Sequence, residues 1–289
     1  MNPTWTLALL LTACPAIAQT PSEIFLLDIT TDPQGKISLT HPRNISQHPG
    51  YDNQPFFHPS EPTLYYSSFN DDGRADLRAY RWTNKKTGNI TQTNEREYSP
   101  TVTPDGKHLS CIIQRDNDAQ DLGQYPLAGG PAEILIDSLQ VGYHAWMNSN
   151  ELLLFVLGEP MTLQRYNLEK QSKQVLASNI GRSLHRIPGQ AKMSFVQKTD
   201  DDQGWTIRTY DMRSQQIETL TPTLQGREDL TWTPDGSLLM SDGAQIFIWN
   251  ADAKPRTWDP IKMPPATLTG ITRLAVSPDG KRLALVADE

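Results

Sequence analysis

Gln54, Ser99, Tyr143, Ser183, Asp229 and Arg273 each stand five residues before the same mark in six copies of one short turn sequence. Residues at equal offsets in a repeat come to equivalent places in space, so these six form one ring. The ring carries an amide, hydroxyls, one acid and one cation. Such a set can hydrogen-bond a ligand or peptide, or it can line a channel filled with water. His144, His185 and Glu228 adjoin it. His144 and His185 hold nearly equivalent places, and with Glu228 or Asp229 they are of the residue types that bind a divalent metal. No short-range ligand spacing supports a metal there, so neither metal nor any other cofactor is expected. His, Asp and Glu on a rim are also what a polysaccharide lyase or hydrolase would use as acid and base.

Acidic stretches lie farther along the same repeats: Asn70-Asp71-Asp72-Gly73, Asp116-Asn117-Asp118, Asp200-Asp201-Asp202 and Asp242. Asp, Asn and Gly are good turn formers, and none of these stretches has the twelve-residue calcium pattern. They are expected to share a face with the ring and make it electronegative, which would favour a basic partner. Trp146 and Trp232 stand two residues before the mark, on the first strands, and read as core aromatics.

The mark belongs to a cassette: an apolar residue, a tight polar turn, then a hydrophobic run. Full copies are Val102-Thr103-Pro104-Asp105-Gly106, Trp232-Thr233-Pro234-Asp235-Gly236 and Val276-Ser277-Pro278-Asp279-Gly280. Degenerate copies are Phe57-His58-Pro59-Ser60, Met147-Asn148-Ser149-Asn150 and Ile187-Pro188-Gly189-Gln190. The marks fall at 59, 104, 148, 188, 234 and 278, a spacing of 40 to 46 residues. That period, with strand chemistry on both sides of a turn, predicts an all-β, six-bladed β-propeller of four-stranded antiparallel blades. In blade one the expected strands are 55–58, 63–69, 76–82 and 89–92. In blade five the outer strand is expected at 254–257. The last blade has only two strands, 274–277 and 282–287, before the chain stops. Residues 23–30 and 35–39 supply its other two, so the N-terminal segment is a clasp that closes the ring and removes two sheet edges.

The chain has 289 residues, 26 Lys and Arg against 33 Asp and Glu, and a formal charge of −7. An acidic chain without basic runs is a poor candidate for nucleic acid. Leu7 to Ala13 is an apolar stretch of secretory length, too short to span a bilayer. Two exits follow it. Ala16-Ile17-Ala18 is a small-x-small cleavage site, giving a signal peptide over 1–18. Leu11-Thr12-Ala13-Cys14 resembles a lipobox, giving a leader that ends at 13 and a lipid on Cys14, which would be the membrane's one hold on the protein. Both point to the periplasm or envelope of a Gram-negative bacterium. Cys111, in the apolar run 109–113, reads as a buried free thiol.

The Ser/Thr-Pro-Asp-Gly cassette, followed by a strand, an Asp-rich loop and a strand such as Asp76-Leu77-Arg78-Ala79-Tyr80, resembles the TolB-type six-bladed propeller, also called WD-repeat-like. The resemblance covers residues 23–289 as a single domain. It implies an exported propeller. The family's namesake carries an extra N-terminal domain and a peptide that contacts a partner of the Tol envelope complex. About four residues separate Ala18 from the first expected strand, so neither feature is matched in this sequence. Related propellers precede catalytic domains in some peptidases, but the sequence has no Gly-x-Ser-x-Gly elbow. The expected function is a non-catalytic binding propeller that takes a protein or peptide partner through its channel mouth. The alternative is a periplasmic enzyme using the rim His, Asp and Glu.

Overall fold

The computed structural model describes residues 21–199, 204–265 and 268–288. In chain order the strands begin with β1 (Ser22–Thr31) and β2 (Ile37–Asn44). Blade one is β3 (Asp52–Phe57), β4 (Thr63–Phe69), β5 (Ala75–Arg81) and β6 (Lys86–Asn89). Blade two is β7 (Arg96–Val102), β8 (His108–Gln114), β9 (Gln120–Pro126) and β10 (Glu133–Ile136). Blade three is β11 (Val141–Trp146), β12 (Glu151–Val156), β13 (Thr162–Asn167) and β14 (Ser172–Ser178). Blade four is β15 (Ile180–Arg186), β16 (Lys192–Gln197), β17 (Thr206–Asp211) and β18 (Ile217–Pro222). Blade five is β19 (Leu230–Trp232), β20 (Leu238–Ser241), β21 (Ile246–Trp249) and β22 (Asp259–Pro260). Blade six combines β23 (Thr272–Val276) and β24 (Arg282–Asp288) with β1 and β2, in the order β2-β1-β24-β23. Within the six sheets every strand pairing is antiparallel, with Phe25 opposite Leu285 and Leu27 opposite Leu283. The clasp expected from the sequence is therefore present. No helix among the described residues is long and apolar enough to cross a membrane.

The second strand of each blade is sandwiched between its neighbours in the sheet and between adjacent blades, so both of its faces are buried. In β12 and β24 five consecutive residues are buried, without the alternation of a half-exposed strand. The outer strands show the opposite composition: all four residues of β6 are exposed. The core divides into six clusters, each shared by two adjacent blades. Strand β1 serves two of them. Leu27 packs toward blade five, while Ile24 and Leu26 pack toward blade one. Cys111 is fully buried between blades one and two, and burial pushes its thiol well above its ordinary range.

The cassette is explained by its hydrogen bonds. Thr103 Oγ1 accepts from His108 N at 3.1 Å and donates to Asp105 Oδ1 at 2.5 Å. Asp105 Oδ1 accepts from Lys107 N at 3.0 Å, and Gly106 supplies a φ of 70°. The Thr103 hydroxyl, then the Lys107 amide, hold the Asp105 carboxyl below its ordinary range. Two of the degenerate copies keep the acceptor and change the residue. Asn148 Oδ1 accepts from Asn150 N and Glu151 N at 2.9 and 3.0 Å. His58 Nδ1 accepts from Ser60 N and Glu61 N at 3.1 and 2.9 Å.

Candidate functional site

A cavity of about 690 Å³ occupies the channel. All six ring residues line its inner end, and the exposed Pro59, Ser60, Asp105, Asn148 and Arg186 border its other end. Bulges on the first strands aim the ring inward. Pairing registers shift between Asn53 and Phe56, between Tyr98 and Thr101, and between Thr272 and Leu274. Within these bulges Gln54, Ser99 and Arg273 adopt φ of 58°, 56° and 33°. Non-glycine residues in the left-handed region cost of order 1–3 kcal/mol each and cluster at functional sites.

Most of the ring also stitches adjacent blades. Gln54 Oε1 accepts from Ser67 Oγ at 3.1 Å and from Ser99 N of the next blade at 2.8 Å. Ser183 Oγ accepts from Leu230 N at 3.2 Å. Asp229 receives Arg182 Nε and an Arg182 terminal nitrogen at 3.2 and 2.9 Å, and a terminal nitrogen of Arg273 at 3.4 Å. Burial pushes the Asp229 carboxyl upward, but Arg273 and Arg182 more than offset this and hold it below its ordinary range. Arg273 also donates to the Tyr143 hydroxyl at 2.7 Å and lies 4.8 Å from that ring's centroid. Tyr143 belongs to blade three and Arg273 to blade six, which are opposite in a ring of six, so this bond crosses the channel. Ser99 Oγ is buried without a hydrogen-bond partner.

The histidines do not converge. Ser110 Oγ donates to Thr101 O at 2.9 Å and accepts from Trp146 Nε1 at 2.9 Å, and His144 Nε2 lies 2.8 Å from it. His185 Nε2 lies 2.9 Å from Ser183 Oγ. Burial drives the His144 pKa down to about 3. Burial likewise lowers His185 to about 4, against an opposing pull from Asp229. Glu228, expected on the channel rim, lies beside a separate pocket of about 120 Å³. There it pairs with Lys198 at 3.0 Å and accepts from Arg182 N at 3.0 Å. Gly181 makes this possible, since a Cβ at that position would stand 2.7 Å from Glu228 Oε2. Among the described residues no group of three or more His, Cys, Asp or Glu side chains could hold a metal.

The depressed His144 pKa has a measurable consequence. The unfolded chain takes up the imidazole proton near 6.5, while the folded protein does so only near 3. Acid therefore favours unfolding between those values, and stability falls as the pH drops below 6.5. By pH 4 the loss from this residue is about 3 kcal/mol. In urea unfolding between pH 7 and pH 4, His144→Gln should lose about 3 kcal/mol less than the parent; an identical loss would refute the assignment.

The acidic loops join second to third strands, at the other end of those strands from the exposed rim turns. Asp116 carries Arg74 at 2.9 and 3.1 Å and Arg96 at 2.9 Å, and these hydrogen bonds hold its carboxyl at about 2. Asp242 Oδ1 accepts from Ala244 N and Gln245 N at 2.9 and 2.8 Å. Asp116 and Asp242 are thus engaged in an arginine bridge and a turn, and these loops lie at the same end of the strands as the ring, away from the exposed turns. Asp200-Asp201-Asp202, Cys14 and the leader 1–18 lie outside the described residues. Trp232 Nε1 donates to Ser194 Oγ at 2.9 Å, the counterpart of the Trp146–Ser110 bond, so both tryptophans pack between blades as expected. Arg182 is a functional candidate that sequence reasoning missed. The signal for Arg182 is a lone cation in the otherwise apolar or small run 180–184.

No protein-family model matches the chain, and no curated protein matches it in sequence. Solved structures match it in fold. A putative TolB from Agrobacterium tumefaciens is 14% identical with a TM-score of 0.70, the match covering 93% of this chain and 98% of that one. TolB from Acinetobacter baumannii is also 14% identical, with a TM-score of 0.56 over 92% of this chain. The match spans 64% of the Acinetobacter protein. An oligogalacturonate lyase in complex with manganese is 12% identical, with a TM-score of 0.59, over 90% of this chain and 82% of that one. In fold the chain is a TolB-like six-bladed β-propeller.

Proposed function

We propose that this is a non-catalytic binding propeller of the cell envelope that engages a protein or peptide partner through its channel cavity. One observation carries the reading: a cavity of about 690 Å³, with fixed polar groups at its inner end and exposed turns at its rim, in which His144 and His185 are poor bases. Proton transfer works best from groups that titrate near the working pH, and pKa values of about 3 and 4 do not suit a general base at neutrality. This favours binding over the lyase or hydrolase alternative. The envelope location rests on the leader-like residues 1–18 and on the TolB-like fold.

The test uses rim side chains that can obstruct the cavity without entering the core. Tagged protein is used to capture partners from its own envelope fraction, with mass spectrometry of what is retained. Ser60→Trp and Arg186→Trp, both on the rim, should abolish capture of any specific partner. Val175→Trp, on exposed strand β14, should leave it intact. Capture indifferent to both rim substitutions would remove the cavity from the function.

A further inference from the structure

We propose that the inner end of the channel is a carboxylate site, and that the partner enters it with an acidic group, either a chain-terminal carboxylate or an Asp or Glu side chain. The proposal rests on the binding reading above and specifies the partner's chemistry.

The charge balance is the first argument. Two cations, Arg182 and Arg273, stand there against one anion, Asp229, while Lys198 and Glu228 pair with each other outside the cavity lining. Lys198 takes Glu228 at 3.0 Å. Arg182 takes Asp229 through two hydrogen bonds, at 3.2 and 2.9 Å. Arg273 is left with a share of the same Asp229 at 3.4 Å and a neutral hydroxyl at 2.7 Å. Its side chain is only 14% exposed. A buried guanidinium has five donors and is costly when its charge is incompletely matched. One further anion would complete it. At the rim Asp105 and Arg186 contribute one charge of each sign, so the cavity keeps its positive excess.

Geometry is the second argument. The Arg273 backbone, at φ 33° in a bulge, aims the side chain across the channel, and Ser99 Oγ lies on the cavity wall as a buried hydroxyl without a partner. A guanidinium fork and a hydroxyl donor match a carboxylate. A peptide also carries N–H donors. His144 Nδ1, on the same wall, is buried and without a partner. Ser110 Oγ already donates to Thr101 O, so it accepts from His144 Nε2–H and leaves Nδ1 as an acceptor. The sign of this site is opposite to the one the acidic loops suggested.

The experiment offers the intact protein three pools of random pentapeptides. The first lacks Asp and Glu and is C-terminally amidated. The second has the same residues with a free carboxylate. The third is amidated with one internal Asp or Glu. Digalacturonate serves as a non-peptide carboxylate. Retention of either acid-bearing pool at least tenfold above the neutral amides, weakened by salt and lost in Arg273→Gln, is the expected result. Equal retention of all three pools overturns the carboxylate site and leaves peptide binding standing. Retention of neither peptide nor digalacturonate overturns both; retention of digalacturonate alone overturns the peptide partner and leaves a carboxylate site. If Arg273→Gln does not melt cooperatively, the acid and amide pools on the parent protein decide the matter.

Discussion

Deleting residues 23–40 should abolish cooperative folding. The segment buries Ile24, Leu26, Leu27 and Leu39 at 1% exposure or less. At about 1.5–3 kcal/mol each, these four account for roughly 6–12 kcal/mol, comparable to the whole stability of a typical domain. The loss also strikes two of the six inter-blade clusters at once, because β1 faces blade five with Leu27 and blade one with Ile24 and Leu26. It further exposes the edge of β24, a run of five buried residues, to pairing with other chains. The truncated chain should be insoluble or lack a sigmoidal melt by circular dichroism. A soluble truncation with a cooperative transition would contradict the closure.

Replacing Asp229 should be the most damaging single change near the cavity. Asp229→Ala removes the carboxylate that Arg182 and Arg273 share and leaves two cations facing each other in a partly buried site. Breaking a buried pair by deleting one partner costs roughly 3–5 kcal/mol. Tyr143→Phe removes one neutral acceptor from Arg273 and should cost about 1 kcal/mol. Urea unfolding of the two variants at pH 7 should therefore separate them by at least a factor of two in destabilisation. Equal, small losses would mean that solvent already satisfies the arginines.

The inner half of the architecture was legible because its turns are chemically demanding. Thr103, Asp105 and Gly106 each do something few residues can, so the cassette survives in sequence. Counting five residues back from it lands at or just before the first strands, in bulges at Gln54, Ser99 and Arg273, and all six positions line the cavity. The outer strands had no such constraint. The expected 89–92 is Lys86–Asn89, and the expected 254–257 is Asp259–Pro260, because exposed polar residues leave no apolar pattern to fix a register. The Tyr143–Arg273 bond joins residues 130 apart and depends on which blades stand opposite, information that no local window holds. Glu228 was misplaced for a similar reason: its course is set by the missing side chain of Gly181 in another blade.

The most direct measurement is amide hydrogen exchange on the protein with and without its captured partner. Binding through the channel predicts slowed exchange in two stretches that line the cavity, 100–106 and 182–186, with the outer strands β6, β14 and β18 unchanged. Protection confined to those outer strands, with 100–106 and 182–186 exchanging as in the free protein, would contradict it.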